Sequence, residues 1–199
     1  MTALRRVRMM QPNGYNNGDK VGENPFLQET HVFILEILER RPSGFEIHAI
    51  SDPSLHIVRA RLNESPSFKV GDRVEIEGSS IGSLSSLRYR DLSNESINSL
   101  LETIIQAIIV NPDAHLSFFN RANNISLKMH AFQLLPGVGK STAQNWVKLR
   151  GQNGWVDFSE IDEKLEVDAV SLLAERYVRE LADPNEIPSL LELLVRISA

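Results

Sequence analysis

The sequence predicts an α+β protein in which a small β-barrel, residues 29–91, precedes an all-helical domain, residues 92–199. Between Thr30 and Asp91, five short segments rich in β-branched and aromatic residues recur at the spacing of strands. After Asp91 the period of the apolar residues changes from two to 3.6, which indicates amphipathic helices. A chain of 199 residues, of which 42% are hydrophobic and 24% charged, can bury such a core without disulfides.

Composition excludes several classes of site. The chain has no cysteine, which removes thiol nucleophiles, disulfides and cysteine-ligated metals. Its five histidines show no paired ligand spacing, so we expect no metal. We also expect no cofactor and no catalytic residue, because the motifs described below favour a binding protein. Polar residues interrupt every apolar stretch before the roughly 20 residues that a membrane helix requires, so no membrane partner is expected. The N-terminus lacks the apolar centre of a signal peptide, which favours a cytoplasmic protein.

The first segment, residues 1–28, is predicted to be a flexible arm with a basic tip. It is rich in asparagine, glycine and other turn formers, and it is poor in residues that build a core. Arg5, Arg6 and Arg8 lie near its start and form the basic tip.

The five predicted strands suggest an OB-like barrel. Within the third strand, Leu55 and Ile57 share one parity while Val58 and Ala60 share the other, which indicates a bulge or bend midway. A turn followed by an alternating strand, as in residues 68–78, is frequent in OB-like barrels, which bind oligonucleotides or other partners on an open face. The predicted strands are residues 30–38, 45–50, 54–63, 70–78 and 84–91. The basic side chains predicted to face outward from them, and to help bind nucleic acid, are Arg59, Arg61, Arg73, Arg88 and Arg90.

An apolar stripe at helical spacing follows the strands. It predicts a helix that begins near Ser93 or Asn94 and ends at Asn111, which precedes a proline. A second helix is expected from Asp113. The last segment, residues 187–197, is rich in leucine and is predicted to cap the core, with a partner surface as the alternative.

The sharpest local pattern is the glycine-containing hairpin predicted within residues 127–150. A helix ending at Leu135 should be closed by a Pro-Gly turn, and Gly139 should open the next helix. The glycines leave backbone amides bare at a helix N-terminus, which suits one phosphate group. The segment also carries four basic residues and no acidic one, in a chain of net charge −5. The binding residues predicted here are Gly137, Val138, Gly139, Lys140, Ser141, Thr142, Lys128, Lys148 and Arg150.

The run Gly139-Lys140-Ser141 also suggests a Walker A loop for nucleoside triphosphates. That motif requires its first glycine five residues before Gly139, where this chain has Leu134. The loop also follows a predicted helix, whereas a Walker A loop follows a strand. These two departures argue against triphosphate hydrolysis.

The segment resembles the helix-hairpin-helix motif of DNA- and RNA-binding proteins. The resemblance implies that it binds the sugar-phosphate backbone without reading base sequence. A degenerate second hairpin is predicted at residues 157–182, with Leu165-Glu-Val-Asp168 where the glycines would stand. Its acidic residues should repel phosphate, so we expect it to support the packing of the first hairpin.

Four segments carry a wider resemblance. They are Thr30-His-Val-Phe-Ile-Leu-Glu-Ile-Leu38, Val70-Gly-Asp-Arg-Val74, Phe118-Phe-Asn-Arg-Ala122 and His130-Ala-Phe-Gln-Leu-Leu-Pro-Gly-Val-Gly139. With these segments, the order of parts over about residues 30–184 resembles an archaeal family, domain of unknown function 655. The resemblance implies an OB-like barrel followed by a helix-hairpin-helix domain, and it implies nucleic-acid binding.

These observations favour a non-enzymatic protein that binds the backbone of RNA or DNA, with RNA favoured over DNA. One alternative is a protein-interaction module of a ribonucleoprotein, in which the hairpin and the terminal helix dock onto a protein component. A base-excision glycosylase is a weaker alternative. Asp157 fits that class, but Ser141 stands where its bifunctional members have a lysine nucleophile.

Overall fold

The computed structural model describes residues 25–196 and has a mixed α/β architecture, as predicted. Residues 1–24, which hold most of the predicted N-terminal arm with its basic tip, lie outside the described residues, as do residues 197–199. The strands are β1 (His31–Glu39), β2 (Phe45–Asp52), β3 (Ile57–Leu62), β4 (Arg73–Glu75), β5 (Ser85–Ser86), β6 (Asn124–Ser126) and β7 (Met129–His130). The α-helices are α1 (Asn94–Val110), α2 (Pro112–Arg121), α3 (Lys140–Arg150), α4 (Phe158–Leu165) and α5 (Ala169–Ala182). Within this part of the chain, no helix has the length and apolar character needed to span a bilayer.

Strands β1 to β5 form one antiparallel sheet in the order β4-β1-β2-β3-β5. The pairing of β1 with β2 is long, since it runs from His31 opposite Asp52 to Glu39 opposite Phe45. Strands β4 and β5 are the two edges, and they do not pair with each other. Among residues 25–196 the sheet is therefore open, and the closed barrel predicted from the sequence is not found.

The irregularity of this sheet lies in β1, not in the third strand as predicted. Strand β1 shifts its register against β2 between Ile34 and Glu36. Strand β3 pairs with β2 without interruption from Ile57 onward. Leu55 lies in the connection before β3, with a φ of 54°. The parity change in the sequence thus marks the start of β3, because Leu55 and Ile57 pack in one hydrophobic core whereas Val58 and Ala60 pack in another.

Each face of the sheet contributes side chains to a hydrophobic core. One face contributes Phe33, Leu35 and Ile50 to a large hydrophobic core that continues through the helices. The other face contributes Val32 and Ile34 to a smaller core that is completed by loop residues around the sheet edges. Because burial of a large aliphatic or aromatic side chain contributes roughly 1.5–3 kcal/mol, both cores help to hold the sheet in place.

Helix α1 begins and ends where the sequence predicts. Ser93 caps it, since its Oγ accepts a hydrogen bond from the amide of Ser96 at 3.1 Å. The hydroxyls of Ser93 and Ser96 both donate to Glu36 of β1 at 2.8 Å. These bonds fix the start of α1 to the sheet, and the helix ends at Asn111 because the next residue is proline.

A cluster of aromatic rings forms the centre of the helical part. Phe132 is fully buried, and its ring centroid lies 5.5 Å from that of Trp146 and 6.0 Å from that of Phe118. The other rings that contact Phe118, Phe119 or Phe132 include those of Trp155 and Phe158. This packing gives a rigid base to the loop that follows Phe132 in the chain.

The C-terminal segment caps the core, as expected, although it is shorter than the predicted helix. It forms a single π-helical turn, Leu191–Val195, instead of a helix over residues 187–197. Leu190, Leu191 and Val195 are buried. Arg196 then donates from Nε to the carbonyl of Ser54 at 3.1 Å, which ties this end of the described chain to the sheet region.

Buried His115 should make the stability of the protein depend on pH. Its Nδ1 lies 3.1 Å from the hydroxyl of Tyr177, and burial lowers the pKa of His115 from 6.5 to about 4. The unfolded chain therefore binds a proton at pH values where the folded chain does not. The contribution of His115 is fully present above about pH 6.5 and is lost as the pH falls toward 4.

We expect the wild-type protein to lose about 2 kcal/mol more unfolding free energy than His115→Gln when the pH is lowered from about 7.5 to about 5. The reason is that glutamine cannot take up the proton. Urea denaturation at the two pH values measures the difference. Equal losses in the two proteins would contradict the role assigned to His115.

Candidate nucleic-acid interface

The glycine loop, residues 136–139, lies directly before α3. Gly137 has a φ of 75°, which is in the left-handed region that favours glycine. A Cβ built at Gly137 or at Gly139 would meet no atom within 4 Å, so the outer side of the loop is open. Val138, which the sequence places among the binding residues, is buried and anchors the loop in the core.

The amides at the start of α3 are uncapped. Gly139 is the N-cap residue, and no side chain caps the helix. The first amide to bond into the helix is that of Ala143, which donates to the carbonyl of Gly139 at 2.9 Å. Within residues 25–196, no acceptor takes the amide hydrogens of Lys140, Ser141 and Thr142, and their side chains are exposed. With the positive end of the helix dipole, these amides form an open surface that suits an anion.

The segment before the loop differs from the predicted helix. It is one turn of 3-10 helix, Ala131–Leu134, and it follows the two-stranded hairpin of β6 and β7. His130 starts this turn through a reciprocal cap: its Nδ1 accepts from the amide of Phe132 at 3.2 Å, and its own amide donates to Gln133 at 3.0 Å. The cap stops the helix from extending toward the N-terminus. The prediction of helices alone in residues 92–199 is therefore wrong for the β6–β7 hairpin.

A cleft of about 640 Å³ lies between the β6–β7 hairpin and α3, and we call it the basic cleft. Its volume is within the range of ligand-binding pockets in proteins. The charged residues that line it are Lys128, Lys140, Lys148 and Arg150, and no carboxylate from the described part of the chain lines it. Its other lining residues are Asn123, Asn124, Leu127, Met129, His130, Gln133, Gln144 and Val147. The cleft thus gathers the four cations of the acid-free segment and adjoins the glycine loop through Lys140.

Arg150 is only partly available to a ligand in this cleft. Its Nη1 donates to the carbonyls of Phe119 and Ala122 at 3.0 and 2.7 Å, where α2 ends. Its guanidinium carbon lies 5.6 Å from the ring centroid of Phe132, and burial lowers the pKa of Arg150. Burial, and after it the charge of Arg150, also lowers the pKa of His130. Arg150 therefore holds the walls of the cleft together, while its charge adds to the positive potential.

Two of the arginines predicted on the sheet are engaged by carboxylates. Arg73 donates to Asp52 from Nε at 2.9 Å and from Nη2 at 2.7 Å. Arg88 donates from Nε to Asp91 at 2.6 Å. Sequence parity places both side chains outward, but it does not show that an acid from a neighbouring strand or turn lies beside each of them.

The other predicted sheet arginines do not join the basic cleft. Arg59 and Arg61 are exposed on one face of β3, as predicted. Arg90 lines a different cleft, where acidic residues that include Asp183 and Glu192 also lie. The structure therefore places the predicted basic residues on separate surfaces. The surface of the hairpin segment, the basic cleft, is lined by no carboxylate of residues 25–196.

One basic residue near the glycine loop was missed by the sequence prediction. Arg179 of α5 lines a second cleft beside Gly137 and Gly139, together with Arg176 and Glu186. The charge of Arg176 is matched by Glu186, to which its Nη1 donates at 2.7 Å. Arg179 is exposed, and no carboxylate of residues 25–196 pairs with it. In the sequence it has only the spacing of an ordinary solvated helix face.

The connection between α4 and α5 lies within residues 157–182, where the sequence predicts a degenerate second hairpin without glycines. Glu166 has a φ of 54°, and Asp168 caps α5 by accepting from the amide of Ser171 at 2.9 Å. The amide of Ala169 also donates to a carboxylate, that of Asp162, at 2.8 Å. Two carboxylates therefore lie at this helix start and close it to a phosphate. The two connections therefore present opposite charges to solvent.

Three comparisons place the chain among known proteins. A family model with the description "Protein of unknown function (DUF655)" matches residues 38–188. An uncharacterized protein of Methanocaldococcus jannaschii is 24% identical over 100 residues, which are 50% of this chain and 46% of that protein. The chain thus spans about half the length of this curated relative. The crystal structure of Af1531 from Archaeoglobus fulgidus, family-model DUF655, aligns with a TM-score of 0.73 at 22% identity, covering 82% of this chain and 99% of the other. That likeness supports the fold.

Proposed function

The chain belongs to DUF655, a family of unknown function, and from that premise we propose that it is a non-enzymatic protein that binds the backbone of RNA or DNA. We infer that the open sheet is a variant of an OB-like fold. We also infer that the glycine loop and α3 form a helix-hairpin-helix unit whose first helix is shortened. The observation that carries it is the basic cleft, because its four charged residues are all basic in a chain of net charge −5.

The chemistry of the two adjoining surfaces matches a chain of phosphates. The uncapped amides of α3 suit one phosphate, and Lys140 lies at the junction of the loop with the basic cleft. Lys128 and Lys148 can neutralise neighbouring phosphates of the same strand. Contacts of this kind position a nucleic acid and give affinity without reading its sequence. Because the protein is acidic overall, a polyanion should be attracted here and repelled elsewhere.

The structure gives less support to the two alternatives. Asp157, which suggested a glycosylase, caps α4, since its Oδ1 accepts from the amide of Glu160 at 2.8 Å. In the leucine-rich segment that suggested a partner surface, Leu190 and Leu191 are buried in the core, while Leu193 is 53% exposed. Asp157 and the two buried leucines thus have structural roles.

The salt dependence of binding tests the proposed function. With two or three phosphate contacts, at roughly 0.7 to 0.9 each, log affinity should fall against log salt with a slope between about −1.4 and −2.7. Filter binding of 20-nucleotide RNA and DNA from about 50 to 300 mM NaCl measures it. Lys148→Ala should make the slope shallower by about 0.7–0.9, which is the contribution of one phosphate contact. Lys69 is an exposed lysine outside the basic cleft, so Lys69→Ala should leave the slope unchanged. No salt-dependent binding of either polymer would refute the proposal.

A further inference from the structure

We propose that the basic cleft and Leu127, at the tip of the β6–β7 hairpin, together bind one unpaired nucleotide beside the strand held by the glycine loop. This inference rests on the proposed function. It adds the form of nucleic acid that the protein selects, which is a single strand or a bulge in preference to a perfect duplex.

The exposure of Leu127 is the first observation. Its side chain is fully exposed, at 105% of the reference value, in the turn between β6 and β7. Single exposed apolar residues are common on protein surfaces, but Leu127 also lines the basic cleft, and the next residue is Lys128. Proteins that bind the minor groove frequently insert an apolar side chain between base steps as a wedge, which partly unstacks the bases, and they use basic side chains beside it. Leu127 has the position and the neighbour that such a wedge needs.

The uncharged lining of the basic cleft is the second observation. Phosphates need only cations and amide hydrogens, yet the cleft also has side-chain amides and apolar walls. Gln133 uses its Oε1 to accept from the amide of His130 at 3.0 Å, which leaves its two N–H donors for a ligand. Met129 and Val147 supply apolar surface. Amides that donate and accept match the edges of a base, and apolar side chains match its faces.

The shape of the cleft decides which form of nucleic acid can use it. In a duplex the bases are stacked and paired, so a concave site can receive a base only after it leaves the stack. Leaving the stack costs least for a base that is already unpaired. The cleft should therefore favour a strand with a free nucleotide next to the phosphate on the amides of Lys140 and Ser141.

Three forms of one labelled 20-nucleotide sequence test the inference, each made as RNA and as DNA: single strand, perfect duplex, and duplex with one unpaired nucleotide. By filter binding, we expect the wild-type protein to bind the bulged form at least about fivefold more tightly than the perfect duplex. Leu127→Ser should bring this ratio below about two and leave the affinity for the perfect duplex unchanged. Because Leu127 is fully exposed, its replacement removes no buried contact and should not affect folding.

Val156→Ser is the matched control, since Val156 is 83% exposed and does not line the basic cleft. It should keep the wild-type ratio. Gln144→Trp, which fills the cleft from α3, should lower the ratio as Leu127→Ser does. A wild-type ratio near one, or an equal loss on all three forms with Leu127→Ser, would overturn the inference while leaving the proposed function intact. No binding of any form would overturn both. A preference for the bulge in either polymer supports the inference, and the two sets of ligands show which sugar is tolerated.

Discussion

Replacing Lys140 by glutamate should weaken nucleic-acid binding about 100-fold or more at low salt, while the melting temperature stays the same or rises. Lys140 is the first residue of α3 and lines the basic cleft, so a carboxylate there would face the phosphate that the amides are proposed to bind. The same carboxylate would interact favourably with the positive end of the helix dipole, which is worth about 0.3–1 kcal/mol. Binding and stability should therefore move in opposite directions, and loss of folding could not explain the loss of binding.

Lys69→Glu provides the control for this variant. It changes the net charge by the same amount, but Lys69 lies in the connection before β4 and outside the basic cleft. Its effect on affinity should stay within about threefold, because only long-range attraction changes. Filter binding measures the affinities, and calorimetry measures the melting temperatures. Unchanged affinity of Lys140→Glu would refute the site at the start of α3.

Replacing Glu180 by alanine should destabilise the protein by about 3–5 kcal/mol. The carboxylate of Glu180 is buried between α5 and the C-terminal segment, and each oxygen accepts two hydrogen bonds. Oε1 accepts from Arg176 Nε at 2.7 Å and from the amide of Leu190 at 2.9 Å. Oε2 accepts from the hydroxyl of Ser189 and the amide of Leu191, both at 2.9 Å. Alanine would leave a buried guanidinium with one ion-pair partner fewer and two buried amides without acceptors.

Urea denaturation followed by circular dichroism measures this loss. Glu192→Ala is the matched control, because Glu192 also pairs with an arginine, Arg196, but its side chain is 61% exposed. An exposed pair contributes about 0–1 kcal/mol, so this control should stay close to the wild type. A loss below about 1 kcal/mol for Glu180→Ala would show that water replaces the carboxylate in its network.

Local sequence patterns predicted the parts of the fold that are specified locally. The cap at Ser93, the apolar stripe and the proline after Asn111 determine α1 almost to the residue. The alternation in β3 placed Arg59 and Arg61 outward, which the structure confirms. Each of these patterns depends on residues within a few positions of one another, where helix and strand periodicity apply.

Features that depend on contacts between distant residues were not predicted. Strands β6 and β7 have three and two residues, which is too short for an alternating pattern. The closed barrel was inferred from strand spacing, but spacing does not determine whether the edge strands β4 and β5 meet. The acid beside Arg73 is Asp52, which lies 21 positions away in the sequence and was likewise not predicted. The acid beside Arg88 is Asp91, only three positions away, and it was overlooked although it is local.

The candidate site shows the same division. The glycine loop was predicted, because the conformation of Gly137 and the open start of α3 follow from a short run of residues. The basic cleft was not predicted as a cleft, because the β6–β7 hairpin forms one of its walls. Arg179 was missed because α5 brings it to the loop from a distant part of the chain.

The aromatic cluster around Phe132 has a practical consequence for following the protein in solution. The chain has two tryptophans, Trp146 and Trp155, and both are buried in that cluster beneath the glycine loop. Intrinsic fluorescence is therefore an optical reporter of this one region. A change in tryptophan emission would report a change in the surroundings of the loop. The sheet holds no tryptophan, so it would not contribute to this signal.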